Sequence, residues 1–210
     1  MTFLQFLDLA GVAVFAATGA LAASRKQLDI IGFMFLAGLT GIGGGTVRDL
    51  VLGIDPVFWV ESSTYIGVCA ATALAVYLAA PYVEYRYRLL LWLDAIGLSA
   101  YCVMGAQRGI EAGAAPLVAV VTGILTATFG GVLRDVVSGE PSVLLRREIY
   151  ITAALAGAGL FVALERAGVD VAIAAGTATL GALVVRGGAL AFGWTLPGYR
   201  GRPGRPADEF

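Results

Sequence analysis

The sequence predicts an all-α polytopic membrane protein with seven transmembrane helices, arranged as an inverted three-plus-three repeat with one extra helix. Three observations predict this fold. The 210 residues are 59% hydrophobic and only 14% charged, whereas ordinary soluble domains carry about 25% charge. The apolar residues form segments long enough to cross a bilayer, and the first half of the chain is repeated in the second.

Seven apolar segments approach the roughly 20 residues that a helix needs to cross a hydrocarbon core of about 30 Å. They cover residues 3–23, 28–52, 62–81, 89–107, 114–138, 149–165 and 169–192. The first contains "ALAAS", which is typical of a signal-peptide cleavage site, but it lacks a basic start and carries Asp8. We therefore expect it to be retained as the first span.

A shift of 86 residues aligns the two halves of the chain. The aligned pairs are Asp8 with Asp94, Phe15 with Tyr101, Gly44-Gly45 with Gly130-Gly131, Arg48-Asp49 with Arg134-Asp135 and, after one gap, Tyr65 with Tyr150. Because each copy holds three spans, an odd number, the second copy enters the membrane from the opposite side, and the halves form an inverted repeat. The predicted units are a first repeat, a second repeat, a seventh helix and a disordered cytoplasmic tail rich in Gly, Pro and charge, at 1–88, 89–168, 169–193 and 194–210.

Basic residues in the connections lie mostly on one side of the predicted membrane. That side carries Arg25, Lys26, Arg86, Arg88, Arg146, Arg147, Arg200, Arg202 and Arg205. The other side carries Arg108 and Arg166. Because Lys and Arg accumulate in cytoplasmic connections, we expect the N-terminus outside and the C-terminus in the cytoplasm.

Spans two and five each contain glycines followed by an Arg-Asp pair, as "GIGGGTVRD" and "TFGGVLRD". A lipid-facing charge near the bilayer centre costs about 2.5–3.5 kcal/mol, so these charges should face the protein interior or a water-filled cavity. Glycine costs about 1 kcal/mol relative to alanine in a helix, so both helices are expected to bend or open at hinges. The hinge residues are Gly43, Gly44, Gly45, Gly130 and Gly131. Interrupted helices at matching positions of an inverted repeat indicate a transport pathway, although helix packing alone also explains such glycines.

We assign Arg48, Asp49, Arg134 and Asp135 to gating or to a latch, because arginine repels cations. Neighbouring residues lie on different helix faces, so we expect no neutralisation within an Arg-Asp pair. The expected charge partners are Asp8 or Asp94, or the aspartate of the other copy's motif.

Composition also narrows the function classes. The chain has no histidine and a net charge of −1, which argues against imidazole proton relays and against nucleic-acid binding. Cys69 and Cys102 lie inside apolar segments and are expected to pack as small hydrophobic residues. The sequence shows no nucleophile–base pair, HExxH motif or metal-ligand cluster, so we predict no enzyme activity, no cofactor and no resident metal.

The motifs "GGGTVRD" and "GGVLRD", within this three-plus-three-plus-one arrangement, resemble the bacterial branch of the trimeric intracellular cation (TRIC) channel family. The resemblance covers all seven spans. It implies a homotrimer in a bacterial inner membrane, with a pore in each subunit between the bent second and fifth helices, and K⁺ as the chief ion with Na⁺ as a second. Phe129 stands where the first glycine of the triplet would fall, so span five is expected to bend less or differently.

The same duplicated domain carries a glycine-transporter label in some bacterial relatives. A secondary transporter of glycine or a similar small solute is therefore the alternative function. For a channel, dehydrated ions would be met by backbone carbonyls opened at the glycine runs and by hydroxyl groups. The candidate hydroxyls are those of Thr40, Thr46, Thr126, Thr128 and Ser138.

Overall fold

The computed structural model describes residues 3–143 and 148–197, with side chains from Asp8 onward. In this part of the chain the helices are α1 (Phe3–Arg25), α2 (Ile30–Leu52), α3 (Phe58–Glu61), α4 (Thr64–Ala79), α5 (Arg86–Glu111), α6 (Pro116–Ser138), α7 (Ile151–Arg166) and α8 (Val171–Phe192). A 3₁₀ turn, Ala80–Tyr82, extends α4. The predicted disordered tail from residue 198 onward, together with Arg146 and Arg147, lies outside the described residues.

The predicted all-α membrane fold is confirmed, because every predicted apolar segment corresponds to a helix and α3 is a short addition between two of them. Among the described residues, five helices are long and apolar enough to cross a membrane: α2, α4 with its 3₁₀ turn, α5, α6 and α8. The count of seven crossings, with α1 and α7 among them, stays a prediction, as do the domain boundaries.

Helix ends follow local sequence signals. The Asp29 carboxylate accepts a hydrogen bond from the Gly32 amide at 2.8 Å and so caps the start of α2. Both α2 and α6 end at a glycine in the left-handed region, Gly53 with φ 68° and Gly139 with φ 64°. These two glycines are equivalent under the 86-residue shift, so the two copies end their second helix in the same way.

The interior of the bundle is formed by α1, α2, α5 and α6, while α4 packs on α1 and α2, and α8 packs on α5 and α7. Alanine dominates the buried positions, whereas large side chains such as Leu50 and Leu180 are exposed. Lipid is as apolar as leucine, so membrane helices associate through close packing of small residues. The outward leucines therefore suit a lipid-facing surface.

The inverted repeat is visible in contacts that occur twice with the halves exchanged. Gly11 of α1 faces the ring of Tyr101, and the equivalent Gly97 of α5 faces the ring of Phe15. The two rings meet edge to face, with centroids 5.3 Å apart. Helices α1 and α5 therefore cross on the approximate two-fold axis between the copies.

Candidate functional site

Helices α2 and α6 cross at their glycine runs. Gly44 lies against the carbonyl oxygen of Thr126, and Gly130 lies against that of Thr40, so closely that a methyl group at either glycine would overlap the oxygen. The shift of 86 residues turns one contact into the other, and residues 40–44 run antiparallel to residues 126–130. The glycines thus allow the two backbones to approach closely.

Of the expected bending or opening of these helices, the opening was wrong, whereas bending at the hinge glycines stays a prediction. Both helices are α-helical without interruption, from Ile30 to Leu52 and from Pro116 to Ser138. No water competes for backbone hydrogen bonds inside a bilayer, so a helix keeps its ladder there despite glycine. The carbonyls at the glycine runs therefore remain inside the helix and are not presented to an ion in this conformation.

Two clusters of charged and polar side chains flank this crossing. The first-half site contains Asp8, Arg48, Asp49, Tyr65 and Tyr101. The second-half site contains Thr18, Asp94, Arg134, Asp135 and Tyr150. Each arginine follows its crossing glycine by four residues, or about 6 Å along the helix axis. Because α2 and α6 are antiparallel, the two sites lie on opposite sides of the crossing.

Each arginine in these sites pairs with the aspartate that follows it. Arg48 Nη2 lies 2.7 Å from Asp49 Oδ1, and Arg134 Nη2 lies 2.9 Å from Asp135 Oδ1. The expectation that neighbouring residues would not neutralise each other was therefore wrong. Positions one apart differ by about 100° around the helix, and the long arginine side chain reaches across that angle. All four side chains are buried, with Arg134 only 1% exposed.

The second oxygen of each aspartate fixes the chain that follows the helix. Asp49 Oδ2 accepts a hydrogen bond from the Phe58 amide at 2.9 Å, at the start of α3. Asp135 Oδ2 accepts one from the Val143 amide at 3.1 Å. Each aspartate therefore joins its arginine to the returning chain, which is a structural role that the sequence did not predict.

Asp8 does not contact an arginine among the described residues. Its carboxylate instead accepts hydrogen bonds from the Tyr65 hydroxyl at 2.5 Å and from the Tyr101 hydroxyl at 3.1 Å. Arg48 keeps Asp49 as its carboxylate partner and lies 5.4 Å from the centre of the Phe58 ring. The expected pairing of Asp8 with an arginine was therefore wrong for this conformation, because two tyrosine hydroxyls occupy the carboxylate.

The second-half site has the opposite arrangement. Arg134 Nη1 donates to Asp94 Oδ1 at 2.8 Å and to the Thr18 hydroxyl at 3.0 Å. Asp94 Oδ2 and the Tyr150 hydroxyl are buried and have no hydrogen-bond partner within the described chain. Arg134 therefore ties α6 to α5 and α1, whereas Arg48 is held within its own helix and by the chain that follows it. Neither arginine pairs with the aspartate of the other copy's motif, so that alternative was wrong among the described residues.

Three sequence differences between the copies account for this asymmetry. Tyr101, which bonds Asp8, has Phe15 as its counterpart near Asp94, and phenylalanine has no hydroxyl. Thr18, which bonds Arg134, has Met104 as its counterpart. After the one-residue gap, the ring of Phe58 has only the Val143 side chain as its counterpart.

The five candidate hydroxyls all donate to a carbonyl of their own helix, at 2.6–3.3 Å. These are the hydroxyls of Thr40, Thr46, Thr126, Thr128 and Ser138. A hydroxyl whose proton points into the helix presents its oxygen lone pairs outward, the orientation that a cation needs. Thr46 also accepts a hydrogen bond from the Trp59 indole at 2.9 Å. Their role as ion ligands stays a prediction.

Beside the second-half site is a polar region at the end of α6. It contains a cavity of about 10 Å³ lined in part by Arg134 and Ser138, roughly the room that one water needs. Glu140 borders this cavity and pairs with Lys26 at 3.2 Å and with Arg25 at 3.5 Å. The end of α6 is thereby tied to the end of α1.

Arg186 is a functional candidate that the sequence reasoning missed. It lies in α8, is completely buried, and donates to Glu148 Oε2 at 2.9 Å and to the Ile149 carbonyl at 3.1 Å. Its guanidinium carbon lies 5.1 Å from the centre of the Tyr150 ring. The signal was present, because an arginine inside an apolar span is costly unless it is paired.

The sequence matches a protein-family model and several bacterial membrane proteins. A family model described as "Glycine transporter" matches residues 5–81 and residues 91–166. The UPF0126 inner membrane protein YadS of Escherichia coli (strain K12) is 40% identical over 156 residues, which cover 72% of this chain and 74% of YadS. A UPF0126 membrane protein of Vibrio cholerae is 34% identical over 206 residues, which cover 94% of this chain and 83% of that protein.

Solved structures are similar over nearly the whole chain. One is described as the TRIC trimeric intracellular cation channel orthologue from Rhodobacter sphaeroides. It is 50% identical with a TM-score of 0.90, and the match covers 92% of this chain and all of that one. A prokaryotic TRIC channel solved in 0.5 M KCl is 27% identical with a TM-score of 0.85, and the match covers 92% of this chain and 98% of that one.

Proposed function

This chain belongs to the TRIC family, a family of multi-pass membrane proteins, and we propose that it is a potassium-permeable monovalent cation channel with a pathway inside each subunit. Three copies assemble, in keeping with the trimeric description of the Rhodobacter sphaeroides structure. The membrane is a bacterial inner membrane, as for the Escherichia coli relative. The N-terminus faces outward and the C-terminus faces the cytoplasm, as the basic connections predict.

The observation that carries the proposal is an excess of negative charge on carboxylates that are buried or half-buried inside the bundle. The first-half site has two carboxylates, Asp8 and Asp49, for one guanidinium, and the second-half site has Asp94 and Asp135 for Arg134. Each site therefore has a formal charge of −1 close to the α2–α6 crossing. Charge inside a membrane is costly unless it is compensated, and a permeating cation compensates this one. An anion would be repelled from both sites.

The same geometry defines the pathway of the proposal. Ions approach the crossing of α2 and α6 from either side, past one carboxylate-rich site and the nearby hydroxyls. At the crossing, Gly44 and Gly130 leave no room for a methyl group, so this conformation corresponds to a closed channel. Conduction requires the two helices to separate at that point, and Na⁺ passes as a second permeant ion.

The proposal is tested with purified protein in planar bilayers that separate unequal KCl concentrations. We expect unitary currents whose reversal potential lies close to the K⁺ equilibrium value, with smaller currents when Na⁺ replaces K⁺. Uptake of labelled glycine into proteoliposomes is measured with the same preparation, because the matching family model is described as a glycine transporter. Saturable glycine uptake without unitary currents would contradict the channel and favour a carrier.

Arg134→Ala should change the open probability more than Arg48→Ala does, with unitary conductance preserved in both variants. The reason is that Arg134 joins three helices through Asp94 and Thr18, whereas Arg48 is held mainly by its neighbour Asp49. Single-channel recording at fixed voltage measures both quantities, and Arg48→Lys and Arg134→Lys are the matched controls that keep the charge. A fall in conductance with unchanged open probability would place the arginines in the ion path itself.

A further inference from the structure

The only buried side-chain atoms without a hydrogen bond in the described residues are Asp94 Oδ2, the Tyr150 hydroxyl and Arg186 Nε. Asp94 and Tyr150 belong to the second-half site, and Arg186 lies against the face of the Tyr150 ring. Unpaired polar groups in a protein interior are unfavourable. All three unpaired atoms lie around Tyr150. Contacts other than hydrogen bonds to these atoms must therefore hold this part of the second-half site in place.

The first-half site shows the arrangement in which these groups are satisfied. There the Tyr65 hydroxyl donates to Asp8 at 2.5 Å, and the arginine has no contact with that aspartate. In the second half, the Tyr150 hydroxyl and Asp94 Oδ1, the oxygen that Arg134 binds, both lie close to Gly131. A methyl group built on Gly131 would lie 2.8 Å from the Tyr150 hydroxyl and 3.3 Å from an Asp94 oxygen. The equivalent hydrogen bond from the Tyr150 hydroxyl to Asp94 is absent, although both side chains are present.

Arg186 supplies the constraint that the first half lacks. It holds the chain entering α7 through Glu148 and the Ile149 carbonyl, and it covers the Tyr150 ring. Tyr65 instead meets the Phe58 ring edge to face, with the ring centroids 4.7 Å apart. Helix α8, which carries Arg186, lies outside the duplicated segments, so the repeat itself provides no counterpart of this cation.

We propose that Arg186 is a positioning residue that holds the Tyr150 hydroxyl away from Asp94 and thereby keeps Asp94 bound to Arg134. When Arg186 shifts, Tyr150 donates to Asp94 as Tyr65 donates to Asp8, and its hydroxyl competes with Arg134 for that carboxylate, which weakens the link from α6 to α5. Helix α6 is then free to move away from α2. This inference rests on the proposed channel function, because it assigns α8 the control of that pathway.

The test is a double-mutant cycle on single-channel open probability in K⁺, with Arg186→Gln, Tyr150→Phe and the double variant. Arg186→Gln is expected to raise open probability about fivefold or more, within the range of coupling between sites in proteins, with unitary conductance unchanged. Tyr150→Phe removes the hydroxyl that competes with Arg134 for Asp94 and should lower open probability. The double variant should behave like Tyr150→Phe alone.

Additive effects of the two substitutions would overturn the proposal, as would an unchanged open probability in a folded Arg186→Gln channel. Arg186→Lys, which keeps the charge but not the fork of donors, should give an intermediate value. If Arg186→Gln does not fold, Glu148→Gln tests the same role of Arg186. This substitution weakens the Arg186–Glu148 ion pair, and the Glu148 side chain is partly exposed. Its effect should also disappear when combined with Tyr150→Phe and persist when combined with the matched control Tyr65→Phe.

A structural measurement separates this inference from the proposed function. In a structure of the Arg186→Gln variant, the Tyr150 hydroxyl should lie within hydrogen-bonding distance of Asp94, whether or not the protein conducts. An unchanged Tyr150 would overturn the positioning role while leaving the channel intact. Absence of wild-type currents, with Tyr150 rearranged as expected, would overturn the channel and retain the positioning role.

Discussion

Gly44→Ala is expected to destabilise the protein by about 3 kcal/mol, the upper part of the range for overpacked interiors, and to raise K⁺ flux per folded channel, because it disfavours the closed crossing. The new methyl group would overlap the Thr126 carbonyl oxygen, which belongs to a helix backbone and has no rotamer that removes the clash. Helices α2 and α6 must then separate along their whole contact. Thermal unfolding in detergent and K⁺ flux from liposomes measure the two effects.

Two further substitutions make this prediction specific. Gly130→Ala should be equally damaging, because its methyl group would meet the Thr40 carbonyl oxygen in the same way. Gly38→Ala, in the same helix as Gly44, meets no atom within 4 Å and should be neutral or stabilising, since alanine favours helices. If Gly38→Ala and Gly44→Ala changed flux equally, helix stiffness rather than the crossing would be responsible.

Asp94→Asn is expected to cost about 2 kcal/mol of folding free energy, the scale of a hydrogen bond to a charged group, and to leave a channel that closes poorly. The substitution keeps the shape of the side chain but removes the charge that lies 2.8 Å from Arg134. Both side chains are at most 2% exposed. The substitution removes one of the two carboxylates that pair with the buried Arg134, which keeps Asp135 at 2.9 Å. The midpoint of thermal unfolding and the open probability at 0 mV are the measurements.

Asp8→Asn is the matched control for this substitution. The two aspartates are equivalent in the repeat, but Asp8 is only half-buried and binds tyrosine hydroxyls. An asparagine there keeps an oxygen acceptor for one hydroxyl and presents an NH₂ donor to the oxygen of the other, so the loss of stability should be smaller. Equal losses in the two variants would show that the Asp94–Arg134 pair is not what distinguishes the two sites.

The sequence alone was sufficient for the helices and the repeat. Apolar length and helix-ending residues such as Gly53 and Gly139 are local signals, and a helix in a bilayer satisfies its own backbone. The Arg–Asp motifs were also located correctly inside the protein, because the cost of exposing charge to lipid depends only on composition and depth.

The details of the sites required coordinates. The low helix propensity of glycine, which is measured in water, led to the wrong expectation that α2 opens at Gly44. In the structure α6, and not solvent, packs against Gly44. The pairing of Arg48 with Asp49 depends on side-chain reach, which helix periodicity does not describe. Asp8 binds tyrosine hydroxyls and Asp94 binds an arginine because of contacts between helices that are far apart in sequence. An alignment of the two halves shows only that residues such as Phe15 and Tyr101 differ.

The α2–α6 crossing also bears on how such a fold can arise. Gly44 meets Thr126 and Gly130 meets Thr40, so each copy supplies one glycine and one carbonyl to the same kind of contact. In symmetry terms this is an isologous interface within a single chain, the type that joins identical subunits in a two-fold dimer. A half-length polypeptide with a single glycine–threonine segment already contains both complementary surfaces, so two such polypeptides inserted in opposite directions could dock without any new contact having to evolve.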